Sequence, residues 1–257
     1  MCRAKRCLIG GPPSEAERIA VTTFELGQRE GQPDAFALFM NQLFWARLLR
    51  GTLAADGPDL PALFSMPGAF PVGSDFTPSI SVQLGADAIK RVTFCEVGRT
   101  DDARPPFEAL MDGGLDLQDD FASLAIPAAA SVACAHLGDA ERASELHALI
   151  DPYAGQFVDW GPSWIGAATH YLALLAATMS RFDEAYARFA EAARAYEDVG
   201  APPWLARAQV EWAELLQARN DNGDGEQAQD LLSRATRAAD ELDLPGIGRR
   251  AAVALAR

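Results

Sequence analysis

Apolar residues recur at helical spacing along most of this chain. Phe36, Phe39, Met40, Leu43, Phe44 and Leu48 lie three or four positions apart, which places them on one face of an α-helix starting near Pro33-Asp34. Upstream, Ser14 followed three residues later by Glu17 fits a capping box, and a helix is read from there to about Arg29, stopped by Gly31. Further helices are expected over 82–97, 107–111, 119–137 (interrupted at Pro127) and 140–150. The clearest stripes come last. They are Trp164, Ala168, Tyr171, Leu172, Leu175 and Met179; then Ala185, Phe189, Ala192 and Tyr196; then Leu205, Gln209, Trp212 and Leu216, with Gln209 out of character; then Ala228, Leu231, Leu232, Ala235, Ala239 and Leu242. Gly200, Pro202, Pro203 and Pro245-Gly246 punctuate them. No stretch alternates long enough to argue a sheet. The first 13 residues carry no period and read as a disordered tail.

One segment breaks the helical pattern. Between residues 51 and 78 fall five prolines (Pro58, Pro61, Pro67, Pro71, Pro78) and four glycines (Gly51, Gly57, Gly68, Gly73). Such density interrupts helices and predicts an irregular linker or loop. The chain is therefore expected to divide into a tail over 1–13, a helix pair over 14–50, the linker over 51–78 and helical repeats over 79–257.

The repeats share a phase. Val97-Gly98-Arg99-Thr100-Asp101-Asp102-Ala103, Leu137-Gly138-Asp139-Ala140-Glu141-Arg142-Ala143, Met179-Ser180-Arg181-Phe182-Asp183-Glu184-Ala185 and the looser Gly223-Asp224-Gly225-Glu226-Gln227-Ala228 align. Their final alanines are 40, 42 and 43 residues apart. Each follows a polar turn and opens a helix. Four residues on comes Phe107, Phe189 or Leu232; the second repeat has His147 there with Leu146 beside it. A small side chain lets two helices approach, and a large one fills the groove of the next pair.

Ala185-x3-Phe189-x2-Ala192 and Ala228-x3-Leu232-x2-Ala235 resemble the second helix of a tetratricopeptide repeat, and Leu172-Ala173 with Ala176 stand where its first helix has Leu-Gly and an aromatic. The period exceeds the family's usual 34, and Ala173 and Ala176 depart from its pattern. Gly31-Gln32-Pro33-Asp34-Ala35-Phe36, Gln42-Leu43-Phe44, Tyr171-Leu172 through Thr178, and Pro203-Trp204-Leu205-Ala206-Arg207 resemble the C-terminal helical region of large actinobacterial signalling ATPases. In that family the region accompanies a nucleotide-binding domain, with a nucleotide cyclase domain or a LuxR-type DNA-binding domain. The resemblance implies an all-α protein, an α-solenoid of antiparallel helix pairs, acting as the sensor or scaffold tail of such a regulator. A free-standing module, a split partner and a truncated tail all fit it.

Composition narrows the chemistry. The 257 residues are 49% hydrophobic and carry 36 acidic against 22 basic side chains, a formal charge of −14. A chain this long can bury roughly 70–75% of its unfolded surface. An acidic surface repels phosphate backbones, so direct nucleic-acid binding is not expected. No apolar run reaches 18 residues, so a membrane span is not expected. Four cysteines (Cys2, Cys7, Cys95, Cys134) make no disulfide framework, and the expected setting is cytoplasmic and reducing. Neither lysine, Lys5 or Lys90, sits in a phosphate-binding loop. The end of the chain is one short helix and lacks a helix-turn-helix.

Candidate sites were weighed against structural readings. Cys134 and His136 are two apart on a helix and face different ways, so no metal is expected. Asn220, Asn222, Asp224 and Gly225 mimic half a calcium loop, but Leu231 stands where the bidentate Glu belongs, so a solvated turn is expected. No Gly-x-Ser-x-Gly elbow is present. Asp112, Asp116, Asp119 and Asp120 read as a solvated face. Aromatics gather at two helix starts. Trp164, Tyr171 and Trp212 lie on apolar stripes and read as core; Trp160 and Trp204 are balanced between core and groove. The binding residues expected are Trp160, Trp164, His170, Trp204 and Arg207. The expected function is a non-enzymatic, protein-interaction or regulatory module without cofactor. Its partner would be a protein or peptide, with an ATPase or cyclase domain implied by the resemblance. The alternatives are a small-molecule inducer sensor and a helical enzyme. The C-terminal helix, Ile247 to Leu255, shows little polar surface and is expected to pack against a partner.

Overall fold

The computed structural model describes residues 3–32, 35–53, 91–115 and 124–256. These residues are mostly helical: α1 (Arg3–Gly10), α2 (Pro13–Arg29), α3 (Ala35–Arg50), α4 (Thr100–Asp112), α5 (Ala125–Leu137), α6 (Ala140–Ile150), α7 (Ala168–Thr178), α8 (Phe182–Val199), α9 (Pro202–Arg219), α10 (Asp224–Leu242) and α11 (Pro245–Leu255). Residues 91–96 are helical too. Most of the 51–78 segment, the start of the helix read over 82–97, and Asp116, Asp119 and Asp120 lie outside the described residues. Among those residues no helix is long and apolar enough to cross a membrane.

From α4 onward each helix packs on the next, and alternate helices also touch: α5 on α7, α9 on α11. The repeated alanines Ala103, Ala143, Ala185 and Ala228 open α4, α6, α8 and α10 and are fully or almost fully buried, as close helix approach requires. Three of the four turns share one geometry. Gly98, Gly138 and Ser180 take left-handed φ of 77°, 67° and 57°. In each, the following N–H (Arg99, Asp139, Arg181) donates to a carbonyl five residues back (Phe94, Cys134, Ala176), the bond that closes a Schellman motif.

Four expectations are corrected. Residues 3–10 are a helix rather than a tail. Ala4 and Leu8 are fully buried, Lys5 pairs with Asp159, and Leu8 O accepts from Trp204 Nε1–H at 2.9 Å. Gly10 sits where any Cβ would lie 2.6 Å from Gly200 O, so α1 seats tightly on the end of α8. Second, α2 starts at Pro13, flanked by an extended Pro12, so Ser14 is inside the helix and no side chain caps it. Proline at the first helical position forfeits no bond, because that N–H has no partner in any helix. Third, α4 runs through Pro105-Pro106 instead of beginning after them. Asp101 and Asp102, whose carbonyls lose their amide partners, are exposed, so water can replace those bonds.

The fourth correction is a sheet. β1 (Phe157–Trp160) and β2 (Ser163–Ala167) form an antiparallel hairpin in which Trp160 faces Ser163 and Asp159 faces Trp164. All five β2 residues are buried, under α1, α3, α7 and α8. A strand covered on both faces has no polar alternation to betray it.

The C-terminal helix finds its partner within the chain. Ile247, Ala251 and Ala254 are buried as α11 packs on α10, α9 and α3. Gly51 and Gly246 meet backbone to backbone: a Cβ on Gly246 would fall 2.3 Å from Gly51 Cα. Arg50 joins Asp243 and Glu17 across this contact, and Arg249 donates to Gly51 O at 2.9 Å. The N-terminal helices therefore close against the last one.

Candidate functional site

Trp160 and Trp204, balanced in sequence between core and groove, are core, and so is Trp164, as its apolar stripe implied. Trp160, Trp164, His170, Trp204 and Arg207 are only 6%, 7%, 2%, 2% and 4% exposed. Trp164 packs edge-on to Trp204 with ring centres 5.6 Å apart, and Trp45, absent from the expected set, touches Trp160 and Trp204 at 6.3 and 6.1 Å. The hairpin turns Trp160 and Trp164 inward, and α1 covers Trp204. Tyr171 and Trp212 are buried as expected.

His170 and Arg207 belong to a second grouping that five distant stretches assemble. On α9, Arg207, Glu211 and Glu214 recur at i, i+4 and i+7 on one face. α7 brings His170, α8 brings Tyr196, α11 brings Arg250, and the helical turn at 91–96 brings Glu96. Arg207 Nε lies 3.1 Å from Glu211 Oε1 as an ion pair, and Arg207 Nη2 donates to Glu96 Oε1 at 2.5 Å. Arg250 Nη1 also donates to Glu211 Oε1, at 3.2 Å, while its Nε and Nη2 hold both oxygens of Glu214 at 2.8 and 2.6 Å. Glu211 Oε2 lies 2.6 Å from His170 Nε2, which therefore carries the proton. On the far side of the ring, the Tyr196 hydroxyl lies 2.9 Å from Nδ1 and accepts from Ala167 N–H at 3.0 Å.

Electrostatics follow from this pairing. Burial alone would raise the Glu211 carboxyl, but Arg207, then His170 and Arg250, hold it below the ordinary carboxylate range. Glu96 shifts the same way: burial raises it, but Arg207, His136 and Arg250 together lower it further. The Arg207 and Arg250 guanidiniums are held more firmly charged, because their carboxylate partners outweigh burial. Burial pushes the Tyr196 hydroxyl well above its ordinary value, so it is a donor here and not a phenolate. Charges this deep are tolerated because each is paired, and removing one partner costs roughly 3–5 kcal/mol.

The same residues meet open space. A cavity of about 330 Å³ has walls from Val132, Leu174, Ala177, Phe182 and Leu215, with the exposed His136 at its rim. A second, of about 370 Å³, lies between Leu48, Glu96, Ile247 and Val253. Arg207, Glu214 and Arg250 line both. Volumes of this size fall at the lower end of small-molecule sites.

Two motifs of the sequence that could suggest a metal are placed by the structure. Cys134 is buried with its Sγ against Asp139 O, whereas His136 is exposed and donates from Nδ1 to Val132 O at 2.9 Å, so the two point apart. The Asp224 carboxylate of the would-be calcium loop is filled by Arg219 at 2.7 and 2.9 Å. Among the described residues no three His, Cys, Asp or Glu side chains are placed to hold a metal. Glu96, Glu211, Glu214 and Arg250 were missed from sequence. The polar i, i+4, i+7 trio inside the otherwise apolar α9 is the signal that could have found two of them. Comparison with protein-family models, curated proteins and solved structures found no match to this chain.

Proposed function

We propose that this chain is a non-enzymatic regulatory module that takes a ligand or a partner segment into the cavities along α9. The observation supporting this is the meeting of two cavities, the first with largely apolar walls, at the Arg207–Glu211–Glu214–Arg250 network. The side chains of the network are spent on one another, which supports a binding role over a catalytic one. Tyr196, the hydroxyl beside the His170–Glu211 pair, is fully buried, and every carboxylate oxygen of Glu211 and Glu214 accepts a hydrogen bond. In this reading α5–α11 form a tetratricopeptide-like array of helix pairs, and α1–α3 brace it. Occupation of the cavities shifts how α9 and α11 sit, and that movement is passed to a partner. The resemblance of the sequence to signalling regulators makes an ATPase or nucleotide cyclase domain the proposed recipient.

A small-molecule inducer is the second reading, favoured by the size of the cavities. Capture experiments with the tagged full chain test the proposal, using Ala177→Leu to fill the first cavity without touching the charged residues. Recovery of an ATPase or cyclase by the wild-type chain, lost in Ala177→Leu, supports it. Substrate turnover that disappears in His170→Gln or Glu211→Gln would overturn it.

A further inference from the structure

The Arg250 guanidinium is the cation of the network that is both preorganised and open. Glu211 and Arg207 are 5% and 4% exposed, whereas the Arg250 and Glu214 side chains are 33% and 31% exposed. A guanidinium has five N–H groups. Nε, one N–H of Nη1 and one of Nη2 are spent on Glu214 and Glu211. One N–H on each terminal nitrogen remains, where two cavities meet.

We infer that the α9 cavity is a binding site for a small carboxylic acid with an apolar body, its carboxylate seated on Arg250. This rests on the reading of the cavities as a ligand site. The apolar walls, Val132, Leu174, Ala177, Phe182 and Leu215, call for a hydrocarbon body. At about 30 Å³ per water-sized unit, 330 Å³ holds roughly ten such units. The head group is set by what the network lacks. Its carboxylates are already satisfied, so a cationic ligand would have to displace a guanidinium and leave that positive charge without its partner. An anionic ligand instead takes Arg250 N–H groups in the two-oxygen geometry a guanidinium prefers. It takes the two N–H groups left over and sits beside Glu214, whose like charge opposes it and which is open enough to swing into water. Glu214 is thus the built-in competitor for Arg250.

The probes are octanoate, phenylacetate and hydrocinnamate, each beside its primary amide and its amine, titrated calorimetrically into the full chain. The acids bind and the amides and amines do not. Glu214→Gln, which removes the competitor, tightens acid binding about fivefold. Arg250→Gln weakens it at least about tenfold. A purely structural ion pair would not move these affinities in opposite directions. Ala177→Leu abolishes binding while leaving the network intact, so the test survives if Arg250→Gln fails to fold. No heat from any acid, amine binding in preference, or acid binding unchanged in both Glu214→Gln and Ala177→Leu would overturn the inference. Any of these results beside intact partner capture removes the acid ligand and leaves the regulatory module standing.

Discussion

Ser180 occupies a position that calls for glycine. Its φ is 57°, and the matching turn residues of the two preceding repeats are Gly98 and Gly138. A left-handed backbone places Cβ against the following carbonyl, at a cost of about 1–2 kcal/mol for a non-glycine residue. Glycine gives part of that back through the freer unfolded chain. Ser180→Gly is therefore expected to raise stability by about 0.5–1 kcal/mol, and Gly138→Ala to lower it by a similar amount. Both are read as urea midpoints at unchanged slope. Midpoints that move together, or not at all, would refute the shared turn geometry. The repeat phase was legible at this scale because turn chemistry is local. The role of the aromatics was not, because a tryptophan near a helix start looks the same in sequence whether α1 covers it or water does.

At the scale of elements, the weakest pattern made one of the firmest contacts. α1 has eight residues, of which only Ala4 and Leu8 are buried, too few to show a period. Its register is fixed from outside, by the bond from Trp204 Nε1 to Leu8 O and by the pairing of Lys5 with Asp159. Leu8→Ala is expected to cost about 2–5 kcal/mol, the range for emptying a fully buried leucine site. Chemical denaturation measures it; a loss under about 0.5 kcal/mol, the range of surface substitutions, would mean that α1 is not part of the core. The hairpin and α4 escaped local reading for related reasons. β2 is buried along its whole length, and the prolines of α4 are tolerated because the carbonyls they orphan belong to exposed residues. Neither condition is visible until the neighbouring elements are in place.

At the scale of the molecule, burial sets the response to pH. It pushes the Cys95 and Cys134 thiols from the ordinary 9.0 up to about 12, with Glu96 adding to the first and Asp139 and Glu145 to the second. The unfolded chain releases these protons first. Their contribution to stability is complete below pH 9 and is lost as pH rises from 9 towards 12. The raised Tyr171 and Tyr196 hydroxyls act with the same sign above their ordinary value of 10.0. The lowered Glu96 and Glu211 act oppositely, supporting the fold above the ordinary carboxylate range and failing as acid drops below it. The unfolding temperature is expected to fall steeply above pH 9, and less steeply in a Cys95→Ala, Cys134→Ala chain. An unchanged alkaline slope in that variant would assign the loss to other groups.

Sequence alone determined that this chain is mainly helical, and where its last helices and their turns fall. Those properties rest on spacing and turn residues, which act over a few positions. Tertiary structure decided the rest. Closure of α1–α3 onto α9 and α11 turned expected groove aromatics into core. Packing among α7, α9, α11 and residues 91–96 drew Glu96, His170, Glu211 and Arg250 from four stretches into one network. Whether a charge is paired, and whether a ring is covered, depends on residues far away in the chain, and no local pattern encodes that.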